Sequence, residues 1–192
     1  MIREQLKIAI IIFCVLTVIT GVVYPSFITG IAQSLFHHQA NGSLIIRDGK
    51  VIGSMLIGQY FDDPKYLWGR PSATSPVPYN ASSSSGSNLG PSNPVLVNIV
   101  KIRINKLRSS DPYNKASIPV DLVTSSGSGL DPHISLAGAY YQIPRIVKVR
   151  GIPETAVKDI IRRNTSDRFL GIIGEPAVNV LKVNLDLDSY EE

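Results

Sequence analysis

Twenty near-continuous apolar positions near the N-terminus constrain this chain more than any other feature. Ile8 to Phe27 reads IAIIIFCVLTVITGVVYPSF, and no Asp, Glu, Lys or Arg occurs between Ile8 and Phe36. At about 1.5 Å per residue a helix of this length spans roughly 30 Å, the thickness of a bilayer's hydrocarbon core. Only a helix crosses there as a single segment, because unpaired backbone groups are costly in lipid. Tyr24 and Phe27 stand where interfacial aromatics stand, and Pro25 lies near the far end, where a kink is cheap. Two other readings compete. A cleaved signal peptide has a shorter apolar core and a small-residue cut site, and no Ala-x-Ala pattern directly follows this one. A buried core helix seldom runs apolar for so long. Arg3 and Lys7 precede the stretch, and the next cation is Arg47. The positive-inside bias therefore keeps the N-terminus in the cytoplasm and places the rest outside. The expected division is a cytoplasmic end (1–7), a transmembrane helix (8–30) and one extracytoplasmic domain (31–192).

The remainder of the 192 residues is one domain's worth of chain. With 44% hydrophobic and 18% charged residues, long disorder is not expected. The net charge of +4 is spread along the chain, and no nucleic-acid-reading motif accompanies it, so no nucleic-acid partner is expected. The fit is to a solvated basic surface facing lipid head groups. The one cysteine, Cys14, lies in the apolar stretch, which excludes an internal disulfide or a CxxC metal site.

Beyond the helix, two β-rich runs flank Asp48-Gly49, a strong hairpin signal. Phe61, Tyr66 and Trp68 cluster, and Trp68 reads as a core or rim anchor. Pro71 to Pro94 is dense in Ser, Pro, Asn and Gly, and reads as a flexible linker or long loop. Loops of that length in small domains are commonly functional. Asn93 as cap and Pro94 at the first helical position open a helix, with Leu96, Ile99, Val100, Ile104 and Leu107 on one face and Asp111-Pro112 at its end. Ile118–Thr124 has β character. A helix is expected from Leu136 to about Gln142, broken at Pro144, and another from Pro153-Glu154 with Val157, Ile160 and Ile161 on one side. Leu181, Val183, Leu185 and Leu187 alternate with polar residues, the pattern of a last strand. The mixture predicts an α+β class: one transmembrane helix followed by a single mixed α/β domain.

Tests for chemistry come back empty. Leu44 stands where a P-loop's first Gly belongs, and Ser126 and Leu130 flank Ser128 where a hydrolase elbow has glycines. No Ser is followed three positions on by Lys. His37, His38 and His133 lack metal-ligand spacing with carboxylates. No catalytic residue and no metal site are therefore expected. The run Ser125–Gly129 reads as a turn feeding a helix N-terminus, though its small residues also suit an anion-binding backbone nest.

The order and spacing of several motifs do match a family. Phe61, Trp68-Gly69-Arg70-Pro71-Ser72, Tyr79-Asn80-Ala81 and Ser85-Gly86-Ser87-Asn88-Leu89-Gly90-Pro91-Ser92-Asn93-Pro94 are followed by Ser126-Gly127-Ser128-Gly129-Leu130-Asp131-Pro132-His133-Ile134-Ser135. Gln142-Ile143-Pro144-Arg145, Gly171, Gly174-Glu175-Pro176, Val178-Asn179-Val180-Leu181 and Asn184 complete the series. Nearly the whole chain thereby resembles the KdpC family, the C subunit of Kdp potassium-transporting P-type ATPases.

The resemblance implies a single-pass subunit of a bacterial inner-membrane complex that couples ATP hydrolysis to high-affinity potassium uptake. Implied partners are a channel-like potassium-binding subunit, a P-type ATPase catalytic subunit, a very small helical subunit and membrane lipid. The Asp-Lys-Thr-Gly phosphorylation motif is missing here, so this is not the hydrolysing subunit. The family is described as a catalytic chaperone that raises the ATP affinity of the ATPase subunit, through a glutamine after a Gly/Ser-rich stretch. The matching residues are Gln142 and Ser126, Gly127, Ser128 and Gly129. ATP would be transient and shared, with no tightly bound cofactor, and potassium is the transported ion. The charge-based topology puts Gln142 outside while ATP is inside, so a second role is expected to suit it better. The outer domain would cap the mouth of the potassium-binding subunit, with Arg70, Asn80, Ser85, Ser87 and Asn88 of the oxygen-rich loop facing ion or partner. The rivals are a tethered exported binding module using the same loop, and a tethered hydrolase with an unfamiliar nucleophile.

Overall fold

Residues 2–190 are described in the computed structural model. The expected N-terminal and outer segments include Met1, Glu191 and Glu192, which lie outside the described residues. The chain divides into two compact units, 1–52 and 53–192.

The first unit is dominated by one long helix, Ile2–Leu35, with no buried residue and a mean hydropathy of 2.7 in its most apolar stretch. It is long and apolar enough to cross a membrane. It consists of α1 (Ile2–Val18), a π-helical turn (Ile19–Val23) and α2 (Tyr24–Leu35). Pro25 explains the wide turn. Its ring lacks an N–H and clashes with the carbonyl four residues back, and a π turn relieves that crowding. The backbone hydrogen bonds of the helix are internal, as lipid requires. A short α3 (His37–Ala40) follows. The hairpin expected at Asp48-Gly49 is present between β1 (Leu44–Arg47) and β2 (Lys50–Ser54). Both turn residues have positive φ, 51° and 72°, as a two-residue turn of this hand demands.

The second unit is mixed α/β. After β2 ends at Ser54, no further named helix or strand forms before Pro94. Then α4 (Pro94–Ser110) begins as expected: the Asn93 side chain accepts a hydrogen bond from the Val95 N–H at 2.9 Å, and Pro94 takes the first turn. The helix stops at Asp111, and Leu107 is its most buried contact with the core. Ile118–Thr124 is not a strand. Val120–Leu122 makes one 3-10 turn, closed by the Leu122 N–H donating to the Pro119 carbonyl and the Val123 N–H to the Val120 carbonyl. β3 (His133–Ser135) leads into α5 (Leu136–Tyr141), capped by the Ser135 hydroxyl on the Gly138 N–H at 2.9 Å. Pro144 breaks the run as expected, and α6 (Ile143–Arg150) starts there. α7 (Glu154–Arg163) buries Val157, Ile160 and Ile161. β4 (Thr165–Ser166) and β5 (Ala177–Asn179) complete a three-stranded antiparallel sheet in the order β3-β5-β4.

The expected last strand is a helix, α8 (Val180–Tyr190). The buried positions Val180, Val183, Asn184 and Leu187 recur at helical spacing. Asn184 is polar and hides that stripe in the sequence, leaving the alternation from Leu181 to Leu187 as a decoy. The core is one cluster, with Leu67, Leu122, Ile146, Ile161, Val178, Val183 and Leu187 almost fully enclosed.

Candidate functional site

Leu67, Trp68 and Gly69 are buried in the second unit although they belong to no helix or strand. Their backbone groups have no ladder to join, so other groups must satisfy them. Two side-chain amides do this. Asn184 accepts from the Leu67 N–H at 2.8 Å and donates to the Leu67 carbonyl at 3.0 Å. Gln142 repeats the pattern on Trp68, at 2.9 and 3.0 Å, and also donates to the Gly138 carbonyl at 3.1 Å. Each amide thus imitates a neighbouring strand. Gln142 is 1% exposed, and both ends of its amide have protein partners.

Arg145 lies next to this clip. Its guanidinium donates to Gln142 Oε1 at 2.6 Å, to the Tyr66 carbonyl at 3.0 Å and to the Pro64 carbonyl. It also stacks 4.3 Å from the Trp68 ring centroid. Burial lowers its pKa to about 10, so it stays cationic at neutral pH. Arg103 donates to the Gly69 and Leu122 carbonyls at 2.9 and 3.0 Å, and burial lowers its pKa too. The segment that carries Trp68 is therefore fixed by cations and amides from α4, α6, α8 and the α5–α6 junction.

The long loop that follows is ordered rather than flexible. Ser72 Oγ accepts from the Tyr79 N–H at 2.9 Å and donates to the Gly129 carbonyl at 2.7 Å. Thr74 Oγ1 accepts from the Asn80 N–H at 3.0 Å and donates to the Val77 carbonyl at 2.8 Å. The Tyr79 hydroxyl donates to the Arg70 carbonyl at 2.6 Å, and burial pushes its pKa up to about 12. The Ser85 N–H and the Ser84 hydroxyl both donate to the Ser128 carbonyl, at 2.9 and 3.0 Å. Two glycines permit this docking. A Cβ on Gly86 would meet the Gly127 carbonyl oxygen at 2.8 Å. One on Gly129, where φ is +67°, would meet the Ser85 carbonyl oxygen at 2.5 Å.

The structure thus joins two groups of expected site residues that are distant in sequence. Arg70, Asn80 and Ser85 share one loop framework with Ser126, Gly127, Ser128 and Gly129. Ser87 and Asn88 continue that loop past the Gly86–Gly127 approach. Ser126 is buried, its hydroxyl accepting from the Gly129 N–H at 2.9 Å, whereas Gly127 and Ser128 are exposed. Asn80 shapes its own turn, with Oδ1 accepting from the Ser82 N–H and hydroxyl. The run leads into β3 and only then into α5, so it is a turn that feeds a strand before a helix.

Beside this rim lies an open cleft of about 550 Å³, lined by Leu56, Arg70, Gly127, Ser128, Asp131 and His133 among others. Arg70 meets Asp131 at 3.3 Å and donates to the Ser125 carbonyl at 3.2 Å. Burial works against the charge of Asp131, but the His133 ring and backbone N–H and the Arg70 cation outweigh it and hold the carboxyl below its ordinary range. Gln142 is not among the cleft's lining residues, so the two parts of the expected nucleotide set occupy different environments.

A family model described as the K+-transporting ATPase c chain, KdpC, matches residues 6–189. The chain belongs to the KdpC family. Curated relatives agree over nearly their full length. The potassium-transporting ATPase KdpC subunit of Sorangium cellulosum (strain So ce56) is 57% identical over 184 residues, covering 96% of this chain and 97% of that protein. The subunit of the same name from Polaromonas naphthalenivorans (strain CJ2) is 58% identical over 189 residues, with 98% and 96% covered. That from Dechloromonas aromatica (strain RCB) is 57% identical over 190 residues, with 99% and 100% covered. The KdpC match takes in both the apolar helix and the mixed domain.

In this KdpC chain, sequence reasoning missed Asn184, Arg145, Ser72 and Tyr79 as holders of the site. Asn184 had a signal: a lone polar residue at helical spacing among apolar ones marks a buried hydrogen-bonding task. Ser72 and Thr74 had none, because their partners lie across the loop or more than fifty residues away.

Proposed function

We propose that this chain is a non-catalytic, membrane-anchored subunit of an ATP-driven potassium uptake complex, with its domain on the outer side of the bacterial inner membrane. The KdpC match, together with the membrane-capable helix that carries Arg3 and Lys7 in its first two turns, supports this reading. Its partners are a channel-like potassium-binding subunit, a P-type ATPase catalytic subunit and a small helical subunit. The domain caps the mouth of the potassium-binding subunit. The observation that carries the capping role is the pinned loop: Ser72, Thr74, Gly86 and Gly129 hold a segment rich in hydroxyls and carbonyls in one shape, so Asn80, Ser85, Ser87 and Asn88 present hard oxygen groups without further ordering cost. Gln142 positions Trp68 and so sets where Arg70 begins the loop.

The test is protease access to the Ser82–Ser87 loop in intact spheroplasts, followed by potassium titration of ATPase activity in a variant with those serines trimmed. Cleavage from outside and a changed apparent potassium affinity are expected. A protected loop, or unchanged affinity and assembly, discards capping. A second reading, the raising of the ATPase subunit's ATP affinity through nucleotide contact, draws on the open cleft with the Arg70 guanidinium and the exposed Gly127 and Ser128 on its rim. A domain found in the cytosol would favour it, and the contact would then run through the cleft, because Gln142 is enclosed.

A further inference from the structure

Between β4 and β5 the chain makes a hairpin tip that no part of the capping role uses. Phe169, Leu170, Ile172 and Ile173 are 68%, 77%, 78% and 60% exposed. Four large apolar side chains on five consecutive residues, all directed to solvent, form a patch that soluble surfaces rarely keep uncovered. The turn is built to hold them out: Leu170 and Gly171 have φ of 53° and 77°, the tight two-residue geometry.

The backbone of this tip suits a shallow interfacial position. The Phe169 and Ile173 N–H groups exchange hydrogen bonds with each other's carbonyls at 2.8 and 3.0 Å. The Gly171 N–H donates to the Arg168 carbonyl at 3.0 Å, and the Ile172 N–H to the Phe169 carbonyl at 3.2 Å. Four of the five backbone N–H groups of the tip are thus closed within the turn, which lowers the cost of dipping into a bilayer interface, where head-group water still reaches the outward carbonyls. A polar collar bounds the apolar part, where Arg168 meets Glu175 at 2.9 Å across the base of the hairpin. Beyond it, Arg162 and Arg163 stand exposed in the last turn of α7. The same chain carries a helix able to span a bilayer, so a lipid surface is always at high local concentration and weak insertion is enough.

We infer that the tip Phe169–Ile173 is a second membrane contact: it dips into the bilayer interface, with the collar and the α7 arginines at head-group level. This rests on the anchored reading above. It gives the domain a fixed height and tilt, which a cap over a pore requires and a single tether does not supply.

The test uses the full chain carrying Phe169→Trp, reconstituted alone into phospholipid vesicles. Trp68 is enclosed and its signal is subtracted with the wild-type chain. The variant's extra emission should be blue-shifted, lose about twofold in intensity when the lipids carry bromine near the top of the acyl chains, and resist aqueous iodide, as for a tryptophan at the interface. A double variant, Leu170→Asp with Ile172→Asp, added to Phe169→Trp, should restore iodide quenching. Red-shifted, iodide-accessible emission from a chain that floats with the vesicles would overturn the insertion while leaving anchoring intact. Protection seen only after the other complex subunits are added would assign the tip to a protein groove and also overturn it. A chain that fails to float would overturn both readings.

Discussion

The helix Ile2–Leu35 and the segment Leu67–Gly69 solve the same problem in opposite ways. The helix leaves its apolar side chains outside and satisfies its backbone within four or five residues along the chain. The segment hides its side chains completely but finds backbone partners 74 and 117 positions away, in Gln142 and Asn184. A backbone satisfied locally makes a structure that depends on its surrounding solvent and little else. One satisfied by distant amides makes a structure that depends on the whole domain being assembled. The KdpC chain has the first in a helix able to span a membrane and the second at the origin of its loop.

The contrast breaks most readily at the amides. Asn184→Ala leaves a buried N–H and a buried carbonyl without partners, each worth about 1–3 kcal/mol, for a total of roughly 3–4 kcal/mol. Gln142→Ala should cost as much, since it also strips Arg145 of an acceptor. Thermal unfolding of the full chain in detergent, followed by the near-ultraviolet signal of Trp68, measures this. A loss under about 1 kcal/mol would mean that relaxation or water replaces the clip. In the helix the corresponding break is electrostatic. Leu16→Arg places a charge near the middle of the span and should cost about 2.5–3.5 kcal/mol of insertion, close to a hundredfold in the inserted fraction, whereas Leu16→Val should change little. Carbonate extraction of membranes reads the difference.

The same division explains what could be read from sequence. Asp48-Gly49, Asn93-Pro94, Pro144 and Pro153-Glu154 act on their own neighbours, and the structure places a turn, a helix start, a break and another helix start there. Leu181–Leu187 misleads because the deciding residue, Asn184, answers to Leu67 rather than to its own turn. Ile118–Thr124 misleads because a β-rich composition meets a 3-10 turn set by Pro119. At the candidate site the residues of both loops were legible one by one, through motif order. Their meeting was not, since Ser72 and Gly129 are 57 positions apart. The tip at Phe169–Ile173 holds one motif member, Gly171, and its exposure follows from turn geometry that a short apolar run conceals.

Gly129→Ala sharpens the comparison within the loop. The added methyl meets the Ser85 carbonyl and Thr74 and sits at a positive φ, so the cost should be about 2 kcal/mol. Unlike the amide variants, it should leave Trp68 buried while making Ser82–Ser87 far more susceptible to protease. Equal loss of the Trp68 signal would show that loop and clip are one cooperative unit rather than two.

The smallest expected effect concerns Asp131, which joins the loop base at Arg70 to the strand β3 at His133. Its carboxyl is held below the ordinary value of 3.8 in the folded chain. A depressed carboxyl contributes stability in full above its unfolded value, and that contribution is lost as the pH falls through the lower folded value. Both partners are partly solvated, so the contribution should stay below about 1 kcal/mol. Asp131→Asn keeps the shape but removes the charge. The variant should melt lower than the wild type at neutral pH and down to pH 3.8, and the gap should close in more acid solution as the wild-type carboxyl takes up its proton. A gap that stays constant with pH would mean that the hydrogen-bond geometry at His133, and not the charge facing Arg70, ties the loop base to the sheet. The contact would then belong with the amide clips, where shape and partner count decide, and not with the charge pairs that solvent can replace.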